Sequence, residues 1–182
     1  MLLHLSAMSI AAPLLAVLAA RQWAEAPISA RDLWLSVAIN LACLAAFHVP
    51  PTQQAAAGST LAQCAAAIAL LSAATWFWTL FLIAGRERPW LSILPLLLTG
   101  KFVCLIGALL IFAPRDLYQL DGLVFALCAV GSSTREDQQM AGLVMIVACS
   151  LSYVAVAVAS AARLLRWLER RSAFAEQALS AR

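Results

Sequence analysis

The sequence predicts an all-α membrane protein, a polytopic bundle of about five transmembrane helices with its N-terminus outside and its C-terminus in the cytoplasm. The chain is 64% hydrophobic and only 12% charged, about half the charged fraction of an ordinary soluble domain. No charged residue occurs from Leu33 to Gly85 or from Gln138 to Ala162. Each of these runs exceeds the roughly 20 residues that a helix needs to cross a bilayer.

Five segments have the length and composition of spanning helices. Their predicted bounds are 1–20, 33–49, 61–84, 90–113 and 134–171. The first is interpreted as a retained helix rather than a signal peptide, because its start lacks Lys and Arg and it contains Pro13. The last would be about 57 Å long. We therefore expect it to leave the bilayer as one continuous rod.

Local signals predict where these helices begin and end. In a capping box, a hydroxyl and an acid or amide side chain satisfy the first free amides of a helix. Such boxes begin at Ser29, Thr60 and Ser133. Pro50 and Pro51 are expected to end the second helix before a loop, and Gly85 is expected to end the third in a left-handed conformation.

Positive charge indicates the orientation. With five spans, nine arginines lie on one side of the membrane and two, Arg115 and Arg135, on the other. Counting the short apolar segment 123–131 as a sixth span would remove this bias, so that segment is predicted to be re-entrant or surface-lying. Because positive residues prefer the cytoplasmic side, the C-terminus is predicted to be cytoplasmic, in a bacterial inner or plasma membrane.

Lys101 is the strongest candidate for a functional residue, since it lies near the middle of the fourth predicted helix. Its side chain reaches only about 6 Å, and the headgroups would be roughly 15 Å away. We expect it to face the bundle interior, in an intramembrane polar site with Asn40 and Asp121. Further expected neighbours are the hydroxyls of Ser72, Thr79 and Thr99. In the alternative interpretation, Lys101 only fixes the packing of its helix.

Two histidines, His4 and His48, map to the predicted outer leaflet. Near acidic residues they could bind a metal or sense protons. Their spacing matches no metal motif, so interfacial histidines are the preferred interpretation. The five cysteines lie in apolar stretches without a CxxC pair and are interpreted as small buried hydrophobic residues. No metal and no cofactor is predicted.

The sequence divides into a transmembrane bundle, 1–162, and a basic amphipathic cytoplasmic tail, 163–182. On a helical wheel the tail has an apolar half and a charged half, which suits an anionic membrane surface or a partner helix. A solvated helix end is the alternative. The predicted membrane-surface or partner-binding residues are Arg163, Arg166, Trp167, Arg170 and Arg171.

The predicted function is that of a non-enzymatic integral membrane protein: an accessory subunit, assembly factor or sensory membrane module that acts through helix and tail contacts. Nucleotide-binding glycine loops and the HExxH and GxSxG motifs are absent from the sequence. The expected partners are the lipid bilayer and another protein or a second copy of the chain, with no nucleic acid. The alternative is a small transporter or channel with Lys101 as an anion or carboxylate site.

Overall fold

The computed structural model describes residues 2–23, 27–118 and 135–180, and every regular element in these ranges is helical. The first stretch consists of α1 (Leu2–Ser6), a π-helical turn (Ala7–Ala11) and α2 (Ala12–Gln22). The remaining helices are α3 (Ala30–His48), α4 (Pro50–Gly58), α5 (Thr60–Glu87), α6 (Pro89–Phe112) and α7 (Arg135–Ser180).

Five helical stretches are long and apolar enough to cross a membrane, which confirms the predicted helical membrane bundle. They are His4–Gln22, Ala30–His48, Thr60–Arg86, Trp90–Phe112 and Arg135–Ala173. Segment 123–131, Asp121 and the capping box predicted at Ser133 lie outside the described residues.

Capping explains where two of the helices start. Ser29 Oγ accepts a hydrogen bond from the Asp32 amide at 3.2 Å, and the Asp32 carboxylate accepts from the Ser29 amide at 3.0 Å. This is the predicted capping box. The predicted start of α5 is wrong by one residue, because the hydroxyl of Ser59, not that of Thr60, accepts from the Ala62 amide at 3.4 Å.

The prolines and Gly85 act differently from the prediction. α3 ends at His48 as expected, but Pro50 and Pro51 then open a further helix, α4, where a loop was predicted. Proline is tolerated in the first helical turn, since amides there have no intrahelical partner. Gly85 does not end α5, which continues to Glu87. Gly85 instead lies close to α6, since a Cβ atom added to Gly85 would be 3.5 Å from Ser92 Oγ.

α5 lies at the centre of the bundle and contacts α2, α3, α4 and α6. One face of α2 carries three completely buried alanines, Ala12, Ala16 and Ala20, which allow α2 and α5 to approach closely. In the core, the Trp78 ring of α5 stacks on the Tyr153 ring of α7 with 5.5 Å between ring centroids.

α6 and α7 form the most extensive helix pair. Two glycines allow the close approach, since a Cβ atom at Gly142 would lie 2.6 Å from the carbonyl oxygen of Gly107. A Cβ atom at Gly107 would in turn lie 2.9 Å from the Gly142 carbonyl oxygen. Backbone contacts of this kind are typical of small residues in membrane helix interfaces.

α7 has 46 residues, which gives a length of about 69 Å. The helix continues through Arg163 to Ser180 without a break. This confirms that the last predicted span is one continuous helix, and its length exceeds the roughly 30 Å of a bilayer core.

Two ends of the bundle can be recognised from contacts between distant segments. At the histidine end, which comprises His4, His48 and residues 113–118, the Tyr118 hydroxyl donates to the His48 carbonyl at 3.1 Å. At the opposite end, Arg86 of α5 donates to the Ala20 carbonyl of α2 at 3.4 Å. Charged and polar groups therefore collect at both ends.

Candidate functional site

Lys101 lies on the outward face of α6, contrary to the expected interior position. Its side chain is exposed, whereas Gly100 and Val103 on neighbouring positions are buried. The same face presents exposed leucines at helical spacing, from 44% to 61% accessible: Leu94, Leu98, Leu105 and Leu109. We call this surface, with Lys101 at its centre, the α6 stripe. The described residues form no interior pocket around Lys101, and its predicted partner Asp121 lies outside them.

The packing of α6 explains the outward position. Gly100 and Gly107 face α7, since Cβ atoms at these positions would lie 3.2 Å from Tyr153 Cβ and 2.7 Å from an Ile146 side-chain carbon. Successive residues of a helix are rotated by about 100°, so Lys101 points away from the surface that Gly100 presents. The expected hydroxyl of Thr99 instead donates to the Pro95 carbonyl in its own helix, at 2.9 Å.

Asn40 is completely buried on α3, as expected of a polar residue at mid-depth. Neither its Nδ2 nor its Oδ1 atom has a hydrogen-bond partner among the described residues. The structure does not bring it together with the outward-facing Lys101. An unsatisfied buried amide costs about 1–3 kcal/mol, so we expect an ordered water at this position.

Two adjoining cavities open at the end opposite the histidines. One, of about 450 Å³, lies between α2, α5, α6 and α7 and is lined in part by Arg21, Arg86 and Arg163. The other, of about 360 Å³, shares Arg86 and Arg163 and adds Arg166, Trp167 and Arg170. No carboxylate is among the described residues that line either cavity. We call these five arginines and the space between them the arginine cleft.

Four of the five predicted tail residues line the arginine cleft, and the fifth does not. The Arg171 guanidinium lies over the Trp167 ring, 4.4 Å from its centroid, which is a cation–π contact. Arginine forks bind phosphate and carboxylate oxygens in pairs. The structure therefore concentrates the predicted basic surface into a concave site that also uses α2 and α5.

Sequence reasoning missed a polar network at the histidine end. The Gln138 side chain of α7 accepts from the Leu117 amide at 2.8 Å and donates to the Leu110 carbonyl at 3.0 Å. The neighbouring Gln139 donates to the Ile111 carbonyl at 3.1 Å. Together they fasten the start of α7 to the end of α6. The feature of the sequence that could have indicated this network is the pair of adjacent glutamines near the start of the last predicted helix.

Tyr118 belongs to the same network and covers the end of α3 through its hydrogen bond to the His48 carbonyl. Burial, with a smaller effect of the Asp116 carboxylate, raises the pKa of Tyr118 to about 12. Its hydroxyl therefore remains protonated, and able to donate, throughout the physiological pH range.

Comparison with protein families identifies a match over most of the chain. A family model described as the cytochrome c oxidase caa3 assembly factor, Caa3_CtaG, matches residues 1–167. No match was found among curated proteins or solved structures. The matched range contains both histidines, the whole α6 stripe and most of the arginine cleft.

Proposed function

Because this chain belongs to the cytochrome c oxidase caa3 assembly factor family, we propose that it binds a membrane-embedded subunit of a caa3-type oxidase while that enzyme is assembled. Family membership confirms the predicted class, a non-enzymatic membrane assembly factor. The outward position of Lys101 gives no support, within a single chain, to the alternative of a transporter with this lysine inside the bundle.

The observation that carries the proposal is an exposed lysine in the middle of an apolar helix face. Lys101 lies twelve residues from Pro89 and eleven from Phe112, about 17 Å from either end of α6. A charge at the centre of a spanning helix costs about 2.5–3.5 kcal/mol on insertion scales and more in simulations. A partner that covers Lys101 with an oppositely charged group would remove this cost.

The chemistry of the α6 stripe specifies what kind of partner it would bind. Leucines on both sides of Lys101 would pack against an apolar helix, and the ammonium would pair with a carboxylate at matching depth. Charged residues inside membranes commonly form such pairs. We therefore propose a transmembrane helix of the oxidase with one Asp or Glu near its middle as the occupant.

Site-specific photocrosslinking tests this surface. A photoreactive phenylalanine at Leu98 or Leu105, on either side of Lys101, is expected to form covalent adducts with an oxidase subunit in intact membranes. The matched control is Leu151 on α7, which is 67% exposed but lies outside the α6 stripe. Adducts from Leu151 alone, or from none of the three positions, would contradict the proposal.

The arginine cleft is proposed to bind the phosphate of an anionic phospholipid. Each basic residue near an anionic surface contributes about 1 kcal/mol. Changing Arg163, Arg166 and Arg170 together to glutamine is therefore expected to lower the anionic lipid retained by the purified chain at least about tenfold. Native mass spectrometry with phosphatidylglycerol and phosphatidylcholine would measure this.

The control for the cleft experiment is Arg171→Gln, which removes an arginine that lies over Trp167 instead of lining the cleft. We expect lipid retention close to that of the unaltered chain. If the triple variant and the unaltered chain retain equal amounts of anionic lipid, the proposed lipid binding is refuted and the tail is a solvated helix end.

We propose that the arginine cleft faces the cytoplasm and the histidine end faces outward, in a bacterial inner membrane. A reporter fused after Arg182 is expected to be cytoplasmic, because the arginine-rich ends prefer that side. A reporter inserted between Gly58 and Ser59, at the junction of α4 and α5, is expected to be extracytoplasmic. Finding both reporters on one side would refute this orientation.

A further inference from the structure

Two imidazole rings meet at the histidine end, although His4 and His48 are 44 positions apart in the sequence. The ring centroids of His4 and His48 are 5.4 Å apart, and the rings are inclined at 73°. Phe47 packs against both, at 5.1 Å from His4 and 5.4 Å from His48. Since imidazole nitrogens bind first-row metal ions at about 2.0 Å, this spacing allows both rings to reach one ion.

The hydrogen bond of His48 fixes which nitrogen is available. Its Nδ1 atom lies 2.8 Å from the carbonyl oxygen of Leu44. A carbonyl oxygen can only accept, so Nδ1 carries the proton and Nε2 of the neutral ring holds a free lone pair. A metal-binding histidine has this same arrangement, with its second nitrogen bonded to a backbone carbonyl or carboxylate.

Both Nε2 atoms are buried, and neither has a hydrogen-bond partner in the ranges that the structure describes. Buried polar atoms are almost always satisfied, and an exception calls for an explanation such as a missing water or ion. Here two exceptions belong to adjacent rings. A single ligand that accepts lone pairs from both nitrogens would satisfy them together.

We propose that His4 and His48 bind one copper(I) ion through their Nε2 atoms. The described residues contain no group of three or more His, Cys, Asp or Glu side chains that could hold a metal, so this part of the chain does not supply the usual four ligands of structural zinc. Copper(I), a closed-shell monovalent ion, is stable with two or three ligands, and imidazole is among the ligands that copper binds well.

Charge also favours a monovalent ion. The site offers two neutral rings and an aromatic wall, with no anionic ligand on the described residues. The desolvation cost of an ion grows with the square of its charge, so a monovalent ion costs about a quarter as much to bury as a divalent one. Met8 follows His4 by one turn and is 3% exposed, and a thioether would add preference for copper(I).

The position of the pair suits transfer of the ion better than storage. It lies where α1 starts and α3 ends, at one end of the bundle instead of mid-depth. Two protein ligands leave coordination positions open for an incoming ligand of another protein, so the ion could pass on by ligand exchange. This inference goes beyond the proposed binding of an oxidase subunit and does not depend on the α6 stripe.

Copper binding can be tested on the full chain in detergent, under anaerobic conditions, with copper(I) supplied by a competing chelator. We expect one copper per chain and nitrogen ligands in X-ray absorption spectra. The chain has only two histidines, so each variant removes half of the proposed site. Loss of a residue that only contacts a metal ligand typically lowers metal affinity about 10–100-fold. His48→Gln and His4→Gln each remove a proposed ligand, so each should lower the affinity for copper(I) by more than that.

Two controls separate this site from other ways of binding copper. A chain whose cysteines are changed to serine should bind copper as the unaltered chain does. Thermal unfolding and helical circular dichroism would verify that the histidine variants remain folded. Copper held by sulfur, copper binding unchanged in the His4→Gln/His48→Gln double variant, zinc bound as tightly as copper(I), or no copper retained would each overturn the proposal. In the last case the two rings share only a water.

Discussion

Replacing Lys101 with methionine is expected to lower the amount of oxidase subunit that co-purifies with the chain at least tenfold, without loss of thermal stability. In the proposed complex the Lys101 ammonium pairs with a buried carboxylate. Removing one partner of such a pair leaves an uncompensated charge and costs about 3–5 kcal/mol. In the free chain the same substitution removes an exposed charge from an apolar face, so the melting temperature should stay the same or rise.

The control for this experiment is Leu105→Met, which changes the next turn of the α6 stripe without altering charge. Leu105 is 55% exposed, and methionine is an apolar residue of similar volume that can keep the proposed contact with a partner helix, so we expect normal stability and nearly normal co-purification. The measurement is quantitative mass spectrometry of proteins recovered with the tagged chain from membranes in a mild detergent. Unchanged recovery with Lys101→Met would show that this lysine has no part in partner binding.

Substituting Gly142 by alanine is expected to lower the melting temperature of the chain by several degrees. The added Cβ atom would lie 2.6 Å from the Gly107 carbonyl oxygen and 2.9 Å from a side-chain carbon of Ile111. A backbone oxygen cannot turn aside, so α6 and α7 would have to separate. Overpacking of this kind costs about 1–3 kcal/mol, occasionally more, and Gly142→Leu should prevent folding.

Gly58→Ala provides a matched control, because apart from its chain neighbours and the adjacent backbone of its own helix no atom lies within 4 Å of the position that its Cβ would occupy. Gly58 is the last residue of α4, and alanine is favoured over glycine in helices by up to about 1 kcal/mol. The melting temperature of the Gly58→Ala chain should be equal to or slightly above that of the unaltered chain. Circular dichroism during heating would measure the melting temperatures of both variants. A Gly142→Ala chain as stable as Gly58→Ala would exclude the close helix contact.

Much of the fold could be predicted because spanning helices are specified by local sequence. Apolar length alone identifies five of them, and the capping box at Ser29 depends on residues three positions apart. The errors have local causes too. Ser59 and Thr60 are adjacent hydroxyl residues that can both cap a helix, and two prolines can end one helix while starting another.

The direction in which Lys101 points could not be predicted, because α6 is apolar on every side. Amphipathic patterns reveal a buried face only when the opposite face is polar. In α6 the packed face is instead selected by contacts of Gly100 and Gly107 with α7, a helix more than 20 residues away in the sequence. The histidine pair and the arginine cleft likewise depend on helices that only the folded chain brings together.

α7 is packed against the bundle as far as Ala157, which is 6% exposed, and the rest of the helix projects from the bundle. From Ala157 to Ser180 the helix extends about 35 Å, and the sequence after Ala157 contains neither glycine nor proline that would let it bend. A change of about 5° in the direction of this projecting part would therefore displace its end by roughly 3 Å. Arg163, Arg166 and Arg170 lie on this projecting part and face Arg86 across the arginine cleft, so the width of the cleft depends on the direction of the C-terminal half of α7.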